Sequence, residues 1–316
     1  TATPIFSTNA TPVIADCKPD TGNIDPKSIK KLITRRTKAI VITHLCGHPC
    51  DMDEILKIKR NKKLFLIEDC SHAHGSTYKG KKVGSFGDIG CFSLDNNKLL
   101  AAGEGGVLVT NNKNFFERAL LASDFAGRLQ NEVNISTNAL YKDTGLGYKH
   151  RIHPVSAAIA NSELKKINFY IKKRHKMLNY FSKEIKKIPG INPPVTLKNS
   201  HRGAFYGYRP FVNTSELKNI KVTKLIKYLQ AEGMEVRFAG NKPLHQLPLF
   251  SNRRLGPKFL GKKTSLFRNY KKKGALPQSE KFYNTTLSLI TFTFEKKNLI
   301  NQYIKAFKKV CYYLSR

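Results

Sequence analysis

The chain has 316 residues, 40% of them hydrophobic and 25% charged, a globular composition that excludes a disordered polyelectrolyte or a collagen-like fibre. Its 56 Lys and Arg against 22 Asp and Glu leave a net charge of +34, enough to draw it to any polyanion. The basic residues are nevertheless spread along most of the chain. The densest runs, 165–176 and 258–273, hold no nucleic-acid-reading motif, so a general surplus of Lys explains the charge better than a specific nucleic-acid partner.

Residues 12–15 and 38–43 read as strands, the second through the apolar run AIVIT. Between them Asp25-Pro26 opens a helix whose stripe runs through Ile29, Leu32 and Ile33. A second helix follows at 52–60 and a third strand at 64–67; 89–92 and 106–110 read as two more strands, and 115–121 returns to helix. Continuous apolar strands separated by helices predict an α/β fold with a largely parallel sheet between helices. After Pro154, the residues Val155, Ile159, Leu164, Ile167, Ile171, Leu178, Phe181, Ile185 and Ile188 keep to one helical face until Pro189-Gly190 stops them. Beyond lie strands at 206–212, 234–238 and 286–294, helices at 222–232 and 297–313, and a Lys/Gly/Asn-rich loop over 251–275. This texture predicts a smaller C-terminal α+β domain and a division inside the long helix, 1–170 and 171–316.

Ligands of parallel α/β sheets collect at the carboxyl ends of the strands. There the strand at 64–67 runs into Glu68-Asp69-Cys70-Ser71-His72-Ala73-His74-Gly75. A carboxylate after four apolar residues needs a cation or hydrogen-bond donors; an Asp capping the next turn is the plainer alternative. Farther on, Lys98 sits among Leu99, Leu100, Ala101 and Ala102, before Gly103-Glu104-Gly105-Gly106. Partial desolvation would make its amine a nucleophile, whereas a surface Lys laid along apolar neighbours is the ordinary reading.

His44, Cys46, His48 and Cys50 alternate as metal ligands can. In an extended segment such residues share a face without converging tetrahedrally, and no second short motif follows, so no metal is expected. The six Cys residues are too scattered for a disulfide framework, which points to a reducing, cytoplasmic setting. No run reaches the roughly 18 apolar residues of a membrane span.

Taken together, Glu68-Asp69-x-x-His72-Ala73-His74-Gly75, then Gly87-Asp88-Ile89-Gly90-Cys91-Phe92-Ser93, then Lys98, then Gly103-Glu104-Gly105-Gly106 resemble the DegT/StrS-type sugar aminotransferases. These are fold-type I enzymes dependent on pyridoxal 5′-phosphate. The similarity extends through Thr37-Lys38-Ala39-Ile40, His44-Leu45-x-Gly47 and Asp51-Met52-Asp53 on one side. On the other it runs through Gly147-Tyr148-Lys149-His150-Arg151, Pro243-Leu244-His245, and Leu276-Pro277 with Glu280.

The resemblance implies a role for each matching residue. Lys98 would join the cofactor covalently and then shuttle a proton, and Asp69 would pair with the pyridine nitrogen. Ser71 would lie against the ring, His72 near its 3′-oxygen, and Ser93 at the phosphate. Lys149, where the family usually has Asn, would reach the phosphate of a neighbouring subunit's cofactor, making a homodimer part of the site; His245 would contact substrate. The implied reaction moves an amino group from glutamate or glutamine to a keto sugar, nucleotide-linked, in polysaccharide or aminosugar biosynthesis. The family also carries an N-terminal segment with a phosphate loop and a stacking aromatic, and Thr1-Ala2-Thr3-Pro4-Ile5 resembles the sequence just after it. A catalytically inactive or split relative serving as a binding subunit is the alternative reading.

Overall fold

Pro26 fixes the first turn of helix α1 (Pro26–Leu32), and the Asp25 carboxylate accepts the Lys27 N–H at 3.0 Å, satisfying an otherwise orphaned donor. In the computed structural model, which describes residues 1–125, 127–240, 242–251, 274–294 and 297–316, this cap leads into the central sheet. The run AIVIT forms β1 (Ala39–Thr43), and helix α2 (Met52–Lys62) carries the chain to β2 (Phe65–Asp69), parallel to β1 with Thr43 opposite Asp69. Strand β3 (Ile89–Ser93) is parallel to β2, and β4 (Gly106–Val109) closes the order β1-β2-β3-β4 in the antiparallel sense. Asp69 and Ser93 therefore end neighbouring strands at the same edge. Helix α3 (Lys113–Ser123) follows, with the Asn112 side chain accepting the Phe115 N–H.

Residues 12–15 join no sheet among the described residues. Pro12 offers no N–H to a ladder, and the nearest pairing is the isolated Cys17–Ile24 bridge.

Helix α4 (Pro154–Ile185) runs 32 residues without glycine, and without proline after its first position. Its Ile167 and Ile171 pack with Leu94, Leu100 and Ala102 beneath the glycine-rich turn. Two to four turns later, Leu178, Phe181 and Ile185 enter a second cluster with Tyr208, Phe292 and Phe307. Each such side chain contributes about 1.5–3 kcal/mol through burial. This second cluster also takes in helix α5 (Val222–Ala231), the antiparallel pair β5 (Val236–Phe238) and β6 (Leu287–Leu289), and helix α7 (Lys297–Ser315). Helix α6 (Pro277–Thr285) precedes β6.

The strands expected at 206–212 and 286–294 are shorter than the sequence suggests. Only Phe211–Val212 and Leu287–Leu289 form regular strand. Left-handed backbone at Phe205 (φ 45) and Gly207 (φ 76), and the missing N–H of Pro210, interrupt the first. Of the expected loop at 251–275, residues 252–273 lie outside the described residues, as does the basic run 258–273.

Candidate active site

Alternation along β2 sends its two carboxylates to opposite faces. Glu68 is fully buried and saturated: Oε1 accepts the Phe86 and Gly87 N–H groups at 2.7 and 2.6 Å, and Oε2 accepts the Gly84 N–H at 2.8 Å. His44 Nε2 donates to the same oxygen at 3.0 Å, while its Nδ1 accepts the Cys50 N–H. Burial works against the Glu68 anion, but these donors prevail and hold its carboxyl below the usual range.

Asp69 looks the other way. Its Oδ1 accepts the Ser71 N–H at 3.0 Å, its Oδ2 accepts the Thr1 hydroxyl, and that hydroxyl lies 2.9 Å from Thr43 Oγ1. Burial again opposes the charge, and the hydrogen bonds from Ser71 and Thr1 outweigh it, so Asp69 is an anion at neutral pH.

The loop after β3 is built to present Lys98. The Asp95 carboxylate accepts the Asn97 N–H at 2.9 Å, the Lys98 N–H returns to the Asp95 carbonyl at 2.9 Å, and Ser93 Oγ accepts the Asp95 N–H at 3.2 Å. Leu94, Leu100 and Ala102 anchor the loop on α4. Gly105 has φ 140, and a Cβ there would stand 2.9 Å from Ile152. The Lys98 amine makes no salt bridge among the described residues; it lies 4.4 Å from the centre of the Tyr206 ring. His72 stacks on that same ring at 4.1 Å and 20°.

Tyr206 arrives from far along the chain. Gly203, at φ 47, lets its segment approach the loop after β2 so closely that a Cβ would sit 2.2 Å from Ser76 N. The Ala204 N–H then bonds the His74 carbonyl at 2.7 Å. Arg202, buried, fixes the approach with Nε to Thr196 Oγ1 at 2.9 Å and Nη1 to the Cys46 carbonyl at 3.3 Å. Burial, followed by the charges of Lys98 and Arg209, pushes His72 down to about 4. Burial does the same to His74, also about 4, and leaves its Nε2 without a partner. Both rings are neutral at pH 7.

The structure thus gathers Lys98 and His72 around Tyr206, with Ser71 on Asp69 and Ser93 at the end of the adjacent strand. Two residues fall outside this group. Lys149 is exposed, with φ 49 and its amine 5.3 Å from the Phe125 ring centre. His245 is buried and bonds Glu280 through Nε2 at 2.9 Å, leaving Nδ1 unpartnered. Sequence reasoning missed Tyr206 and Arg209. Their one signal is the polar-aromatic pattern Tyr206-Gly207-Tyr208-Arg209 in a stretch read simply as strand.

His44, Glu68 and Cys70 offer atoms within 4.8 Å of one another, a spacing compatible with a metal. The hydrogen bonds above already occupy both His44 nitrogens and both Glu68 oxygens, and burial pushes the Cys70 thiol well above its usual range, against the thiolate a metal needs. His48 is likewise committed, its Nε2 accepting the Leu197 N–H at 3.0 Å and its Nδ1 donating to the Pro49 carbonyl at 2.6 Å.

Residues 1–298 match the model of the DegT/DnrJ/EryC1/StrS aminotransferase family. The chain belongs to this family. GDP-perosamine synthase of Escherichia coli O157:H7 is 34% identical over 253 residues, 78% of this chain and 63% of that protein. The spore coat polysaccharide biosynthesis protein SpsC of Bacillus subtilis strain 168 is 31% identical over 98% of this chain and 76% of its own length. Among solved structures, the aminotransferase from Psychrobacter cryohalolentis superposes with a TM-score of 0.84 at 26% identity, covering 99% of this chain and 78% of that one. DegT/StrS enzymes are aminotransferases that use pyridoxal 5′-phosphate. The donor set suits that cofactor: an ionised carboxylate for a pyridinium nitrogen, an amine with no carboxylate partner among the described residues for an aldehyde, and an orphaned buried nitrogen on His74. No helix among the described residues is long and apolar enough to cross a membrane.

Proposed function

We propose that this chain is a pyridoxal-phosphate-dependent aminotransferase that moves an amino group from glutamate or glutamine to a keto sugar, nucleotide-linked, in aminosugar or polysaccharide biosynthesis. The observation that carries this reading is the Lys98 amine held on the Tyr206 face beside neutral His72, with anionic Asp69 on the same strand-end loop as His72. The cofactor supplies an electron sink for the carbon that exchanges its amino group. Asp69 would hold the proton on the ring nitrogen, which keeps that sink strong. Lys98 would hold the cofactor through its aldehyde and would be the base that moves the proton at the donor's α-carbon. Ser71 orients Asp69 through its N–H and would lie against the ring. His72, neutral, would contribute a hydrogen bond at the 3′-oxygen, and Ser93 would bind the phosphate.

The active unit in this reading is a homodimer in which Lys149 reaches across to the other subunit's phosphate. The exposed apolar residues Val107, Leu108 and Val109 on β4, together with Tyr148 and Val155, supply the apolar surface such an interface needs. His245, through Glu280, would position the substrate from the C-terminal domain, taken as 171–316.

Pyridoxal phosphate added to the purified protein should give the visible absorbance of a lysine-bound aldehyde. Borohydride should then fix the cofactor on Lys98, and Lys98→Ala should abolish both signals. No band and no reduced adduct in the unaltered chain would reject the enzyme reading and favour a binding subunit.

A further inference from the structure

Tyr208 and Arg209 follow, in one short segment, the Tyr206 whose ring carries His72 and the Lys98 amine. Bridges from Tyr208 to Leu289 and from Phe211 to Thr286 hold this segment. Tyr208 is fully buried in the C-terminal cluster, its hydroxyl 2.7 Å from Ser182 Oγ. The Arg209 side chain, half-buried, lies outside that cluster. Its charge reaches the His72 imidazole, which Lys98 also influences. The guanidinium lies along Gly240, where a Cβ would stand 2.9 Å from Nη2; any larger residue there would push the group aside.

Arg209 Nε is buried and has no hydrogen-bond partner, and no carboxylate pairs with the guanidinium among the described residues. A buried donor on a charged group is rarely left unmet in a native protein unless water, an ion or a ligand completes it. Arg202, a buried cation seven residues earlier, is satisfied from within by Thr196 and the Cys46 carbonyl.

We propose that Arg209 binds the carboxylate of the amino-acid donor and so places the donor's α-carbon within reach of Lys98. This rests on the amino-transfer reading above. The planar guanidinium fork matches a carboxylate through two parallel hydrogen bonds. The α-carboxylate is bonded directly to the carbon whose proton Lys98 moves, so its receptor must lie in the immediate surroundings of Lys98. The phosphates of a nucleotide-linked sugar are separated from its keto carbon by the sugar ring, and their receptor belongs farther away.

The test compares unaltered protein with Arg209→Ala, Arg209→Gln and Arg209→Lys, all loaded with pyridoxal phosphate. Cofactor loading is read from the lysine-bound absorbance. Donor affinity is read by calorimetric titration with 2-methylglutamate, which keeps the carboxylate and has no α-proton to lose. The donor half-reaction is followed with L-glutamine and with 4-aminobutanamide, its carboxylate-free counterpart.

Arg209→Ala should load cofactor normally, bind 2-methylglutamate roughly 10- to 100-fold more weakly, and react with L-glutamine and 4-aminobutanamide at similar kcat/KM. Arg209→Lys should recover part of the affinity. Unchanged 2-methylglutamate binding in a normally loaded variant overturns the proposal, as does a loss confined to cofactor or keto-substrate affinity. If Arg209→Ala does not fold, Arg209→Gln, which keeps a long polar side chain without the charge, decides by the same readings. Failure of the unaltered protein to load on Lys98 would instead reject the amino-transfer reading itself.

Discussion

Glu68 and Asp69 are adjacent in sequence and opposite in task. Glu68 ties β2 to the turn around Gly84 and Gly87, whereas Asp69 faces the site. Glu68→Gln would aim an amide NH2 at backbone N–H donors, and should lower unfolding free energy by about 3–5 kcal/mol in urea titrations. Asp69→Asn keeps the shape and removes the charge that holds the ring proton; kcat should fall at least about 10²-fold while the fold persists, as steady-state kinetics and circular dichroism would show. His48, His72 and His74 are each lowered to about 4 from 6.5. Between those values the unfolded chain binds more protons than the folded one, so stability falls as pH falls from about 6.5 to 4. Each ring adds up to about 1.4 kcal/mol per pH unit, and urea midpoints at pH 7.5 and pH 5 would reveal it. Asp69 and Lys98 stand out in the sequence only through motifs that together resemble the family's, since each alone reads more plainly as a capping Asp and a surface Lys. Tyr206 and Arg209 do not stand out, because only the docking of a segment more than 100 residues downstream brings them there.

At the scale of elements, the close approach at Gly203 decides whether Tyr206 reaches His72. Gly203→Ala puts a methyl group 2.2 Å from Ser76 N and 2.4 Å from the His74 carbonyl oxygen, on a backbone already left-handed. Nothing flexible is there to yield. The segment should lift from the loop, with a stability loss of at least about 2 kcal/mol in urea unfolding and weaker cofactor binding in absorbance titrations. The helices were readable because caps and apolar stripes are local: Asp25 caps the helix that Pro26 opens, residues 115–121 lie in helix, and so does the face from Val155 to Ile185. Residues 12–15 and 206–212 carry strand-like composition, but a strand also needs a free N–H ladder and a neighbour in register. Pro12, Pro210 and left-handed Phe205 deny them one. The Glu68 pairing was hidden for a related reason, since its donors come from backbone whose turn the sequence does not display.

On the scale of the whole molecule, a dimer with shared sites has a signature that single variants lack. Lys98→Ala and Lys149→Ala chains should each be inactive, yet mixing them should restore up to about a quarter of the activity, because one of the two sites in a hybrid is intact. Sedimentation of the mixture would establish the species present. The long helix α4 has a separate consequence. It serves two hydrophobic clusters without a glycine or an internal proline to bend it, so neither half can melt without exposing side chains of the other. Scanning calorimetry should therefore record one heat-absorption peak. Lys172→Pro, at an exposed position between the two sets of anchors, should split that peak in two by letting each half lose its order independently.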